Sequence, residues 1–278
     1  MFLLKQILPA AIIPMMVAAG VCGFAFFRGT ERMRIALDPL AVGVAYFVGH
    51  LFVAGWVAFP PADTTNWLPA FALVTAVLSA FCGAVTRKAW VRGLILFLVS
   101  AGALRLLLKP KFEYGWSLTE GYVWVAFLAA AMVLVTIILE ALVRRSERAV
   151  EMPALLLIIC AGTFGALILS GSMLLGQFTV VLGAALLGNL VFTARKVNLG
   201  RGIVPVFSLL LVTLLLSGYF FAELPATSAA LIAFAPVLAL IPIRRLALPA
   251  FPVRAALVSV PVLVALVLAF RSSPPLSY

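Results

Sequence analysis

Charge is what this chain most lacks. Only 10% of its residues are Asp, Glu, Lys or Arg, against about 25% in a typical water-soluble protein. That leaves too little polar surface to coat a globule in water. With 65% apolar residues, the shortage excludes a soluble, disordered, collagen-like or disulfide-scaffold protein. Histidine is nearly absent, His50 being the only one. A lone histidine excludes two-histidine haem ligation within the chain and supplies too few nitrogens for a catalytic zinc ion. Cysteine is scarce: Cys22, Cys82 and Cys160 lie far apart, each inside an apolar run and outside any CxxC or Cys/His array. Packed, unpaired thiols are expected, with no metal and no disulfide. Also missing are HExxH, a P-loop, a dinucleotide fingerprint and Asp-rich metal clusters. The run Ile168-Leu-Ser-Gly171 lacks the first glycine of the Gly-x-Ser-Gly run of intramembrane serine proteases. No catalytic residue and no cofactor is expected.

What the chain does have is long apolar runs. A helix crossing ~30 Å of hydrocarbon at ~1.5 Å per residue needs ~20 apolar residues. Ten segments approach that length: Ile7–Phe27, Pro39–Phe59, Leu68–Thr86, Trp90–Leu108, Gly121–Val143, Ala154–Ser170, Met173–Thr193, Ile203–Phe221, Pro225–Ile241 and Phe251–Phe270. They are apolar all round, whereas a lipid-exposed barrel needs alternation. Unpaired backbone is costly in lipid, so each run must be helical. The expected fold is all-α, a polytopic transmembrane helical bundle of about ten spans forming one integral membrane domain over residues 1–278. Lys5 and the run after it look like a secretory signal, but the run is as long as a span and no small-x-small pattern closes it. A retained first span is expected.

The basic residues test this threading. Arg28, Arg32 and Arg34 fall in the first connection; Arg87, Lys88 and Arg92 at the third; Arg144, Arg145 and Arg148 in the fifth. Arg195, Lys196 and Arg201 fall in the seventh, and Arg244, Arg245 and Arg254 at the ninth. Fifteen of the 20 Lys and Arg therefore share one side, leaving Lys5, Arg105, Lys109, Lys111 and Arg271 for the other. Orientation follows this bias, so the odd connections are expected to be cytoplasmic and both termini extracytoplasmic. Trp56, Trp67, Trp116 and Trp124 fall near outer boundaries and Trp90 near an inner one, as headgroup anchors do. The net charge of +11 then points to the lipid bilayer and its anionic headgroups as partner. No nucleic acid is expected, since the longest connection, Lys109–Glu120, is only about a dozen residues. The cell membrane, plasma or inner, is the expected location. Ten spans also divide into five-plus-five halves, 1–150 and 151–278, which would run in opposite directions as in inverted-repeat transporters.

Within the spans, His50 is the most informative residue. An ionisable group at that depth is a functional hypothesis by default. Gly43, Tyr46, His50 and Ala54 share roughly one helix face, and Tyr46 is placed to hydrogen-bond the imidazole from one turn away. Proton relay or substrate contact is the functional reading, and a packed neutral histidine the structural one. The sixth and seventh spans carry small residues (Gly162, Gly165, Ala166, Gly176, Gly183, Gly188) that permit close helix packing. Ser172 and Gln177, at the start of the seventh span, could line a polar outer pocket, or Ser172 could simply cap the helix. In the second connection Thr64, Thr65 or Asn66 is expected to cap the third span. Glu140 is expected to pair with Arg144, and Glu223 to meet Arg105 or Lys109. Pro236 interrupts the short ninth span.

Ten spans with almost no extramembrane mass favour a transporter of a small molecule or ion, with His50, Tyr46, Gln177 and Ser172 as substrate or proton-relay candidates. A membrane scaffold or assembly component without catalytic activity is the alternative, and a membrane enzyme comes third. The spans as drawn contain no central carboxylate, which ion-coupled carriers usually retain.

Overall fold

The computed structural model describes residues 2–56, 60–61, 63–85, 88–146, 150–193, 202–241 and 250–272. Every regular element among them is helical. The helices are α1 (Phe2–Arg28), α2 (Glu31–Ala54), α3 (Leu68–Val85), α4 (Ala89–Leu107), α5 (Lys109–Tyr114) and α6 (Leu118–Arg145). They continue with α7 (Glu151–Leu169), α8 (Met173–Thr193), α9 (Ile203–Phe221), α10 (Ala226–Phe234) and α11 (Ala250–Ser272). Among the described residues nine helices are long and apolar enough to cross a membrane: all except α5 and α10. The chain is an integral, multi-pass membrane protein. The remaining expected span is α10, which tightens into a 3₁₀ segment, Ala235–Leu240. Pro236 sits in its first turn and has no N–H to continue an α ladder. Together the two pieces reach about 25 Å, short of the ~30 Å hydrocarbon core.

Three local expectations are corrected. The second span begins at Glu31, not Pro39. Thr30 supplies the cap, its hydroxyl accepting from the Met33 N–H at 3.4 Å, and Pro39 is carried inside the helix. Its missing N–H costs one bond, to the Ile35 carbonyl. The Lys109–Glu120 connection contains a helix, α5, before Ser117 caps α6 through the Glu120 N–H at 3.3 Å. No side chain caps α3; Thr64–Trp67 forms a 3₁₀ turn leading into it.

α9 is the central helix, and nearly all of Ile203–Gly218 is buried. α3, α6, α8, α10, α2, α4 and α7 pack around it. α1 closes against α2 and α8, while α11 covers α7 and α10. In lipid, helices gain little hydrophobic drive from pairing, so contact depends on backbones coming close. Gly188 lies against the Met15 carbonyl and Ala18 of α1. Gly176 and Gly183 face α7, Gly162 faces Val262 of α11, and Ala166 is buried. The small residues of α7 and α8 thus serve three seams. The three-residue link between α7 and α8, Ser170–Ser172, needs Gly171 at φ +85°. There the Ser172 N–H reaches the Leu167 carbonyl and the Gly171 N–H that of Ile168, both at 3.0 Å, a Schellman closure. Ser172 then caps α8 through the Leu175 N–H at 3.4 Å.

The bundle has two chemically distinct ends. At one, Arg34 donates to the Ala25 and Phe26 carbonyls at 3.1 and 2.8 Å, capping α1. Glu140 binds Arg92 at 2.8 Å and Arg144 at 3.5 Å. Arg145 donates to the Leu240 carbonyl. Arg254 pairs with Glu151 at 3.2 Å and donates to the Arg145 carbonyl at 3.0 Å. Gly202 lies against Pro39. The described residues that flank the odd connections therefore gather arginines at one end. Arg87, Arg148, Arg195, Lys196, Arg201, Arg244 and Arg245 lie outside the described residues, as do the side chains of Lys5 and Arg32. At the other end Trp116 stacks on Trp124 and meets the edge of Phe220. Arg105 sits 4.0 Å above the Phe112 ring, and Lys109 pairs with Glu113 at 3.6 Å. Those partners occupy Arg105 and Lys109, and among the described residues Glu223 forms no ion pair with either.

Candidate functional site

α2 presents an unbroken buried row at helical spacing: Asp38, Val42, Tyr46 and His50. Residues four apart line up along a helix, so the row runs diagonally from the arginine-rich end towards the tryptophan-rich one. Several packing contacts hold His50 in place. α8 stacks Phe178 on the imidazole, with ring centroids 4.2 Å apart and planes 13° from parallel. Next to it, Gly49 lets α2 approach Pro14 of α1 and Val181 of α8. The Asn66 side chain, from the 3₁₀ turn, lies close to the imidazole but outside hydrogen-bond geometry.

Tyr46, one turn below, does not bond His50. The ring centroids are 6.2 Å apart, and Tyr46 Oη and both imidazole nitrogens have no hydrogen-bond partner among the described residues. The expected Tyr46–His50 bond is corrected: stacking on Phe178 turns the imidazole edge elsewhere. Thr75 is a third such group. It lies on α3, the helix that Gly43 of α2 touches at Ala72 and Ala76. Ser100 on α4 is also buried without a partner.

These orphans are unusual in a membrane protein. Buried polar groups nearly always find partners, and leaving one unmade costs about 1–3 kcal/mol. The neutral imidazole offers one donor and one acceptor, and the Tyr46 and Thr75 hydroxyls can each do both. Among the described residues no ion pair involves them, and no three His, Cys, Asp or Glu side chains gather as metal ligands would. The unused donors and acceptors suit hydrogen bonding to a neutral polar molecule.

Of the four residues singled out from sequence, His50 and Tyr46 come together. Gln177 is buried in α8 next to Phe178 but projects about 100° away around the helix, and Ser172 is engaged in capping. Three residues of this region escaped sequence reasoning. Phe178 carries no local signal in an apolar helix. Asn66 was assigned to a cap. Asp38 was placed in a connection, yet it is only 6% exposed and lies within the Met33–Ala54 span. The Thr-Glu pair at 30–31, a helix-start signal, would have moved that boundary. No family model, curated protein or solved structure matches the chain.

Proposed function

We propose that the protein is a transporter for a small, uncharged polar solute bound beside Tyr46 and His50, between α2 and α8. The observation that carries this reading is the pair of buried side chains Tyr46 and His50, neighbours on α2 whose polar atoms have no hydrogen-bond partner among the described residues. A solute rich in hydroxyl or amide groups supplies the missing donors and acceptors, and Phe178 gives it an apolar floor. The barriers on the two sides are unequal. Towards the tryptophan-rich end, among the described residues, the last turn of α2 and the Asn66 turn follow His50. Towards the arginine-rich end lie Val42, Asp38 and the ion pairs of Glu140 and Glu151. Release on that side requires parting this network.

The sidedness belongs to the same reading. The arginine-rich end is cytoplasmic by its basic bias and rests against anionic headgroups, which places both termini outside. The five-plus-five division also fits: the counterpart helices α2 and α8, and likewise α3 and α9, pack against each other at the centre.

The test is a thermal-shift screen of small polar solutes on the purified full chain in liposomes. A neutral solute should stabilise the protein by about 2.7 kcal/mol at a hundred times its Kd. His50→Leu should abolish the shift, and the same solute should show counterflow. Equal stabilisation of both proteins would refute the site. No stabilisation by any solute, with His50→Leu silent in cells, would leave the scaffold reading.

A further inference from the structure

Asp38 is the second ionisable group on the buried row of α2, and nothing in the solute site uses it. It lies about 8 Å along the helix from Met33 and roughly 18 Å from His50. A carboxylate at that depth is expensive unless paired or protonated. Among the described residues, Arg34, one turn earlier, is turned away: it gives its guanidinium to the Ala25 and Phe26 carbonyls and rests on the Phe26 ring. Around Asp38 the structure places Cys22 of α1, within electrostatic reach, and Asn189 of α8, whose amide donates to Cys22 Sγ at 3.2 Å. Both are buried.

We infer that Asp38, with Cys22 and Asn189, is a proton-binding site at the α1–α2–α8 junction. The carboxylate takes up a proton to become a neutral acid, and that acid can donate to an acceptor where the bare anion could not. The ligand set favours a proton over a metal cation. A hard cation needs several oxygens, whereas this site offers one carboxylate, one amide and a thiol. Among the described side chains, α1 brings Cys22 and, at its end, Arg28; α2 brings Arg34, Tyr46 and His50; α3 brings only Cys82. The side chains of Lys5, Glu31 and Arg32, and residues 194–201 with their three basic groups, lie outside the description. α8 brings none, and the only one on α9, Tyr219, is at the far end. That Asp38 drives solute movement rests on the transport reading; that it binds a proton does not. Val42 and Tyr46 fill the row between the two sites, so a shift of α2 on protonation would reach His50 directly. Pro39 beside Asp38 interrupts the hydrogen-bond ladder there, leaving the helix easier to bend.

The sequence provides an unusually clean test, because Asp38 and Asp63 are the only aspartates and Asp63 is exposed. The full chain, labelled with carboxyl-¹³C aspartate in lipid nanodiscs, is titrated by pH and followed by infrared or NMR spectroscopy, with no solute present. The expected result is two separate titrations, one of them lost in Asp63→Asn. Asp38→Asn should remove the second and His50→Leu should preserve it. Should Asp38→Asn fail to fold, the wild-type pair of titrations and the Asp63→Asn subtraction still decide. A single titration shared by both aspartates overturns the proposal. So does a second titration displaced by sodium at constant pH, which would make the ligand a metal cation. Failure of the solute screen leaves this result untouched, and failure here leaves the solute site standing.

Discussion

α9 and α2 are both deeply buried, and both carry polar side chains, but they treat them differently. On α9, Thr213 donates to the Leu209 carbonyl at 2.8 Å and Ser217 to that of Thr213 at 2.8 Å. Ser208 meets Thr136 of α6 at 2.6 Å. Each hydroxyl is satisfied inside its own helix or by its neighbour, as short polar side chains allow in membrane helices. On α2, Tyr46 and His50 are too long to fold back onto their own carbonyls, and the Phe178 ring stacked on His50 offers no hydrogen-bond partner. Burial alone therefore does not mark a site. The distinguishing feature is a polar group that its surroundings leave without a partner.

The comparison makes signed claims. Removing a partnered group should destabilise, and removing an orphan should not. The largest effect is expected at the arginine-rich end, where Arg254→Met strips the ion pair from buried Glu151. A loss of about 3 kcal/mol is expected by unfolding in mixed micelles; a neutral result would mean the network is not a lock. Next comes Tyr46→Phe, which deletes an unpartnered hydroxyl and should stabilise by about 1 kcal/mol, while weakening solute binding. A loss of similar size would show that the hydroxyl has a structural partner. Thr136→Val should cost about 0.6 kcal/mol, the average for a hydrogen bond between membrane helices, because Ser208 still donates to the Pro205 carbonyl. Smallest is Thr75→Val on the orphan side, with a gain of about 0.5 kcal/mol. Identical signs for Thr136→Val and Thr75→Val would erase the contrast.

The threading was legible because arginine is costly in hydrocarbon, so Arg92, Arg145 and Arg254 had to emerge at one end, and there they interlock. The α7–α8 turn was legible from Gly171 and Ser172, since so short a link requires a left-handed residue and a cap. The site was only half legible. His50 and Tyr46 stood out as the polar residues of an apolar run. Phe178 could not, because it is one apolar residue among many and meets His50 only through folding. Asp38 was hidden by a boundary error: Pro39 reads as a helix start, yet neighbouring helices in a membrane tolerate proline inside one.

The central claim, that the α2 orphans line a chamber open to solute in some state of the cycle, is tested most directly by thiol accessibility. In a background of Cys22→Ala, Cys82→Ala and Cys160→Ala, the variants His50→Cys and Thr213→Cys are exposed to a small water-soluble alkylating reagent in membranes. The account predicts that position 50 reacts, and more slowly with solute bound, while position 213 on α9 stays inert. Two inert positions, or two that react alike, would contradict it.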